Sequence, residues 1–164
     1  MDYKLKIPSE RQGVEMVQKV QVNIKKINDK AIVPTYGSDY AAGADLYACL
    51  DESVEIASGD TYLVKTGIAM ELPEGYAGLI YARSGLATKK GLAPANKVGV
   101  VDSDYRGEVM VSLHNHSKET QVIEPGERIA QMVITPYIQG LYNVVDDLSD
   151  TERGAGGFGS TGRK

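Results

Sequence analysis

The sequence predicts an all-β fold: a barrel or sandwich of short strands, with one short helix. Three observations lead there. Runs of alternating or β-branched apolar residues recur along the chain. Clusters of Gly, Pro, Ser and Asp separate those runs at short intervals. Helical periodicity is scarce, and strands do not alternate with helices as they do in parallel-sheet folds.

Taken in order, VQKVQVNIKKI (17–27) alternates apolar and polar residues, as a half-buried strand does. VEIASGDTYLVKTGIAMELP (54–73) predicts a strand, a turn at Ser58-Gly59-Asp60, and a second strand that ends at Pro73. GYAGLIYARS (75–84), KVGVVD (97–102), GEVMVSLHNH (107–116) and RIAQMVITPYI (128–138) are the remaining strands. Pro73-Glu74-Gly75, Ser103-Asp104 and Glu124-Pro125-Gly126 are turn signals between them. The one helix follows Arg83, with Ser84 as its cap, residues 85–90 as its turns and Gly91 as its stop. Residues 1–16 are polar and unpatterned and are expected to be a leader outside the fold. Residues 17–148 are expected to form the single domain, and 149–164 a flexible Gly-rich C-terminal arm.

A chain of 164 residues suits one domain and can bury a core without cross-links. Cys49 is the only cysteine, so no internal disulfide forms and no oxidising compartment is required. Its expected role is a small buried hydrophobe. The opening MDYKLKIPSERQGVE lacks an apolar signal region, and no stretch is long enough to span a membrane. A cytoplasmic location is expected. The net charge of −4, with no basic stripe, argues against a nucleic-acid partner. A small anion is still a suitable ligand, because a few arginines and backbone amides hold phosphate whatever the global charge.

Arg83-Ser84-Gly85 stands at a strand-to-helix junction. A guanidinium, a hydroxyl and open helix amides together make a phosphate cradle, although an ordinary cap beside a surface arginine has the same local sequence. Asp102-Ser103-Asp104-Tyr105-Arg106-Gly107 fails as a calcium loop, because Arg106 and Leu113 stand where ligands are needed. It reads as a hairpin in which Gly107 takes a special dihedral. It is either a solvated polar turn or the place where Asp102 holds a water as general base beside the flat face of Tyr105. Gly154–Gly159 matches GxGxxG by spacing, but no strand precedes it and no helix follows, so a dinucleotide site is rejected. The only Phe, Phe158, lies in that tail among Arg153, Ser160 and Thr161, a composition that suits either a disordered end or a closing arm. His114 and His116 share a strand face without a third metal ligand.

Five segments in order are AAGADLYA (41–48), ARSGLATKKG (82–91), NKVGVVDSDYRGE (96–108), GERIAQ (126–131) and RGAGGFGSTG (153–162). Together they resemble the trimeric dUTPase family over roughly residues 17–162. The resemblance implies a β-barrel, jelly-roll-like fold of the β-clip type, assembled as a homotrimer with active sites between subunits. It implies hydrolysis of dUTP to dUMP and pyrophosphate through water attack on the α-phosphate, with Mg2+ as cofactor. It further implies a residue-by-residue division of labour. Arg83, Ser84, Gly85 and Gln131 would hold phosphates. Asn96 and the backbone of Val100, Val101 and Met110 would read the uracil edge. Asp102 would activate water, and Tyr105 would pack under the deoxyribose. Arg153, Phe158, Gly159, Ser160 and Thr161 would form the arm, donated by a neighbouring subunit. Asp45 would approach the magnesium through water. A dCTP deaminase-like enzyme and a non-catalytic nucleotide-binding module are the rival readings on the same scaffold.

Overall fold

Alternating apolar residues bury one face of each strand, and the strands gather into three antiparallel sheets around one core. In this computed structural model, which describes residues 18–157, the strands come in the following order. They are β1 (Asn23–Lys26), β2 (Thr35–Tyr36), β3 (Ala44–Tyr47), β4 (Val54–Ile56), β5 (Thr61–Glu71), β6 (Tyr76–Tyr81), β7 (Leu92–Pro94), β8 (Gly99–Val101), β9 (Glu108–Asn115), β10 (Gln121–Ile123) and β11 (Arg128–Pro136). A helix, α1 (Ser84–Lys90), stands between β6 and β7. One sheet has the order β1-β5-β9-β7, a second β2-β3-β11-β6-β8, and a third pairs β10 with β4. The fold is mostly β, as expected, and none of its sheets closes on itself.

β9 shows the pattern most plainly. Val109, Val111, Leu113 and Asn115 point inward and are buried, while the residues between them are half-buried or exposed. Leu46, Val64, Ile68, Leu92 and Ile129 join them from other strands, all without solvent contact. Each such burial stabilises by about 1.5–3 kcal/mol. Asn115 fills an apolar position because its amide is fully used. Nδ2 donates to Ile56 O (2.8 Å) and Glu119 O (2.7 Å), and Oδ1 accepts from the N–H (2.9 Å) and hydroxyl (2.7 Å) of Ser117.

Several expectations need adjusting. The 17–27 alternation is visible, with Val20, Val22 and Ile24 half-buried, but only Asn23–Lys26 find a partner strand, in β5. β2, β3, β7 and β10 were not expected as strands. They have two to four residues each, too few for periodicity to register. Ser84 is not the helix cap. Arg83 holds that position in an extended conformation and makes no side-chain cap bond, so Ser84 is the first helical residue. Gly91 stops the helix as expected, at φ 66°, with its N–H on Ala87 O.

The 102–107 segment is not a hairpin turn within one ladder. β8 pairs with β6 in the five-stranded sheet, whereas β9 pairs with β5 and β7 in the four-stranded sheet. The loop therefore crosses between sheets. Gly107 does not have a positive φ. It is glycine because a Cβ there would lie 2.6 Å from Cζ of the Tyr105 ring, which folds over it.

Candidate active site

Two clusters gather most of the described residues that the sequence singled out. The first is built on the five-stranded sheet. Asp45 of β3, Gln131 of β11 and Tyr81 of β6 lie directly opposite one another, so their side chains share a face. Two residues beyond Tyr81, Arg83 donates from Nε to Asp45 Oδ1 at 2.6 Å. Arg128 Nη1 takes Asp45 Oδ2 at 3.1 Å. One largely buried carboxylate thus holds two guanidiniums, and the group keeps a net positive charge. Arg83 Nη2 has no protein partner among the described residues, so its fork is open to an anion.

Gln131 Nε2 donates to Ala82 O at 2.8 Å, leaving the amide beside the start of α1. Ser84 and Gly85 are exposed, no acidic side chain lies in the first turn, and no side chain caps it. The first-turn N–H groups therefore lack intrahelical partners on the side where the guanidinium stands. A Cβ on Gly85 would meet nothing within 4 Å.

The second cluster lies where β8 and β9 splay apart. β8 is an edge strand, and β7 covers β9 only at residues 113–115. Ala95 N–H to Ser112 O, at 2.7 Å, closes one end. A cavity of about 290 Å³ remains, lined by Asn96, Val100, Val101, Asp102, Tyr105 and Met110 among others. That volume is at the small end of ligand pockets. Val100 and Asp102 also line a larger groove of about 1170 Å³ on the outer side of the loop. Tyr105 Oη donates to Glu108 O at 2.9 Å, which fixes the ring. The Asp102 side chain accepts no hydrogen bond from the described residues and is exposed.

Val101 lies opposite Gly78 on β6, and β8 runs antiparallel, so Asp102 continues away from Arg83. Five residues of extended chain separate Gly78 from Arg83, roughly 17 Å. Arg153 belongs to neither cluster. It is exposed, and its Nε donates to Gly156 O at 2.9 Å. Phe158, Gly159, Ser160 and Thr161 lie outside the described residues.

Sequence reasoning missed Arg128, the second cation on Asp45. It sits within GERIAQ, and only strand pairing reveals that it faces β3. Gly43 was also missed: a Cβ there would strike Gln131 Oε1 at 2.6 Å. Cys49 is half-buried rather than buried, and burial first, then the Glu108 charge, pushes its thiol pKa up. His114 and His116 do meet, edge to face at 4.4 Å. Among the described residues, no three His, Cys, Asp or Glu side chains cluster to hold a metal ion. Both Asp45 oxygens are already committed to guanidiniums. A metal ion beside Asp45 would therefore have to be held through water or by a ligand's own oxygens.

An antiparallel β scaffold with an open arginine fork and a small cavity along an edge strand is the framework of a protein that binds a small anionic ligand. A family model described as dUTPase matches residues 29–162. The chain belongs to the dUTPase family. It is 47% identical over 152 residues to the deoxyuridine 5'-triphosphate nucleotidohydrolase of Cronobacter sakazakii, covering 91% of this chain and 100% of that one. It is 45% identical to the enzyme of the same name from Pectobacterium carotovorum, covering 90% and 99%. Among solved structures, the dUTPase of Staphylococcus bacteriophage 80alpha with dUPNHPP superposes with a TM-score of 0.79 at 29% identity, covering 88% and 99%. The dUTPase of phage phi11 of S. aureus, described with a structural Mg(II) ion, matches in fold with a TM-score of 0.70 at 23% identity, covering 78% and 98%. None of these matches favours a deaminase or a non-catalytic module. No helix among the described residues is long and apolar enough to cross a membrane.

Proposed function

We propose that this protein hydrolyses dUTP to dUMP and pyrophosphate, with Asp102 as the base that delivers water to the α-phosphorus. The observation that carries the mechanism is the unpartnered Asp102 carboxylate on the rim of a base-sized cavity. Asn96 and the backbone of Val100, Val101 and Met110 line that cavity and offer fixed hydrogen-bonding groups to a pyrimidine edge. Cytosine presents an acceptor at N3 and a donor at the C4 substituent where uracil presents a donor and an acceptor, so it would leave buried partners unpaired. Tyr105, held by its hydroxyl, packs under the sugar where a 2′-hydroxyl would need space.

Asp102 accepts a proton from water, and that water attacks the α-phosphorus. The bond to the bridging oxygen breaks and pyrophosphate leaves. Arg83, Gln131 and the amides of Ser84 and Gly85 take up the phosphate charge. A magnesium ion, when bound, would supply further charge neutralisation for the phosphates, and Asp45 would be the carboxylate nearest to it.

On β6 the position opposite Val101, the neighbour of Asp102, lies roughly 17 Å from Arg83, so within one chain the cradle does not reach the phosphate that Asp102 serves. The site is therefore shared between copies, with the cradle of one chain facing the Asp102 groove of the next. The chain after β11 supports this. Leu141 and Tyr142 are 99% exposed and Val144 97% exposed, an apolar segment that the described residues do not cover. A homotrimer in which this segment lies on a neighbour covers it and delivers the Gly-rich arm, with Arg153, Phe158, Gly159, Ser160 and Thr161, to a neighbouring site. Pyrophosphate release from dUTP, dTTP, dCTP and UTP, with and without magnesium, tests the reading. Turnover restricted to dUTP is expected; ammonia release from dCTP or binding without turnover would overturn it.

A further inference from the structure

Arg106 has no part in the roles above, yet it makes three polar contacts. Nη1 donates to the carbonyl oxygens of Ser103 (2.6 Å) and Tyr105 (3.1 Å). Nη2 meets Glu71 Oε1 at 3.2 Å. Glu71 closes β5, and its Oε2 accepts from Asn23 Nδ2 at 2.8 Å. Asn23 is its directly opposite neighbour on β1. A line of contacts thus runs from the edge of the four-stranded sheet to the loop that carries Asp102. We infer that Arg106, anchored on Glu71, is a positioning residue that sets Asp102 against the attacking water. The inference rests on the reading of Asp102 as the base.

The Asp102 side chain accepts no hydrogen bond among the described residues, so its backbone alone aims it. That backbone lies between two sheets and belongs to neither ladder. Within the loop, the Tyr105 N–H reaches Asp102 O at 3.2 Å, a long bond. Arg106 adds what is missing by gripping two loop carbonyls with one guanidinium nitrogen and the sheet with another. A planar fork makes such contacts with little loss of freedom per bond. The Arg106 and Glu71 side chains are 54% and 51% exposed, so their pairing contributes little to the stability of the fold. Its effect is on the order of the loop. The Asn23 amide first, and then the Arg106 charge, hold the Glu71 carboxyl below its ordinary 4.5. A depressed carboxyl keeps its interaction above the ordinary value and loses it as pH falls through the lowered one. The tie is therefore intact throughout the neutral range.

Steady-state pyrophosphate release from dUTP by the full-length chain tests this. The variants are Arg106→Met, Arg106→Lys, Glu71→Gln, the double variant with Met and Gln, and Asp102→Asn. Arg106→Met is expected to lower kcat about tenfold, with KM within about threefold, as a small misplacement of a catalytic group does. Glu71→Gln lowers kcat in the same direction, and the double variant is no worse than Arg106→Met alone. Arg106→Lys recovers part of the loss, and the melting temperatures of all four stay within a few degrees of the parent. If Arg106→Met fails to fold, the isosteric Glu71→Gln still decides. A parental kcat in Glu71→Gln, with KM raised in Arg106→Met, overturns the inference and makes Arg106 a direct phosphate contact. A parental kcat in both also overturns it. Full activity in Asp102→Asn instead overturns the base reading, and the inference falls with it.

Discussion

Asp102 and Asp45 are both carboxylates at strands of the same sheet, and their surroundings divide their roles. Asp45 is buried to 8% exposure and saturated by Arg83 and Arg128, so it orients cations and is not free to take a proton from water. Asp102 is exposed, has no hydrogen-bond donor among the described residues, and faces open volume on both sides. Asp102→Asn removes the base while keeping the shape. Its kcat for dUTP is expected to fall by about 10²–10⁴, with nucleotide affinity retained in equilibrium binding. Unchanged turnover would remove Asp102 from the mechanism. Two guanidiniums on one carboxylate also account for residues that local sequence left ambiguous. Arg83 reads equally as a surface side chain until strand pairing brings Asp45 to it.

At the scale of elements, α1 is only seven residues long, and its ends do most of the work of placing it. Gly91 adopts φ 66°, and a Cβ there would lie 2.9 Å from Ser117 Cβ and 3.0 Å from its backbone N. Gly91→Ala is expected to cost about 1–2 kcal/mol from the left-handed conformation alone. Thermal unfolding should show this as a drop of several degrees; an unchanged melting temperature would mean that the helix end relaxes freely. The arm is the second element with a separable role. Among the described residues of the arm, 153–157, none is buried. Deleting residues 153–164 is expected to reduce kcat/KM by at least about 10²-fold, since closure over the reacting groups excludes water. Sedimentation should report the same oligomer. A monomeric deletion variant would make the arm a structural strap instead.

For the whole molecule, the proposed shared site rests on two features of the described residues: Arg83 and Asp102 stand apart along β6, and the segment after β11 is apolar and exposed. β11 ends at Pro136, and beyond it Ile138, Leu141, Tyr142 and Val144 carry side chains that none of the described residues buries. A soluble monomer rarely presents so much apolar surface in one segment. The double variant Leu141→Asp, Val144→Asp is therefore expected to shift the assembly toward monomer in sedimentation velocity. It should lose dUTP hydrolysis at the same protein concentrations while the monomer stays folded by circular dichroism. A fully active monomer would refute the shared site.

The sequence by itself determined the mostly-β class, the long strands, the helix with its glycine stop, and the family that the five motifs mark. These follow from local periodicity, turn chemistry and motif order, each contained within a few neighbouring residues. It left the two- to four-residue strands β2, β3, β7 and β10 unseen, because stretches that short hold no measurable period. Tertiary structure alone decided that the 102–107 loop crosses between sheets, that Gly107 yields to the Tyr105 ring, and that Arg128 shares Asp45 with Arg83. It also set Asp102 away from Arg83 along β6. Pairing between distant strands sets those relations, and nothing in a local run of residues specifies which distant strand will lie beside it.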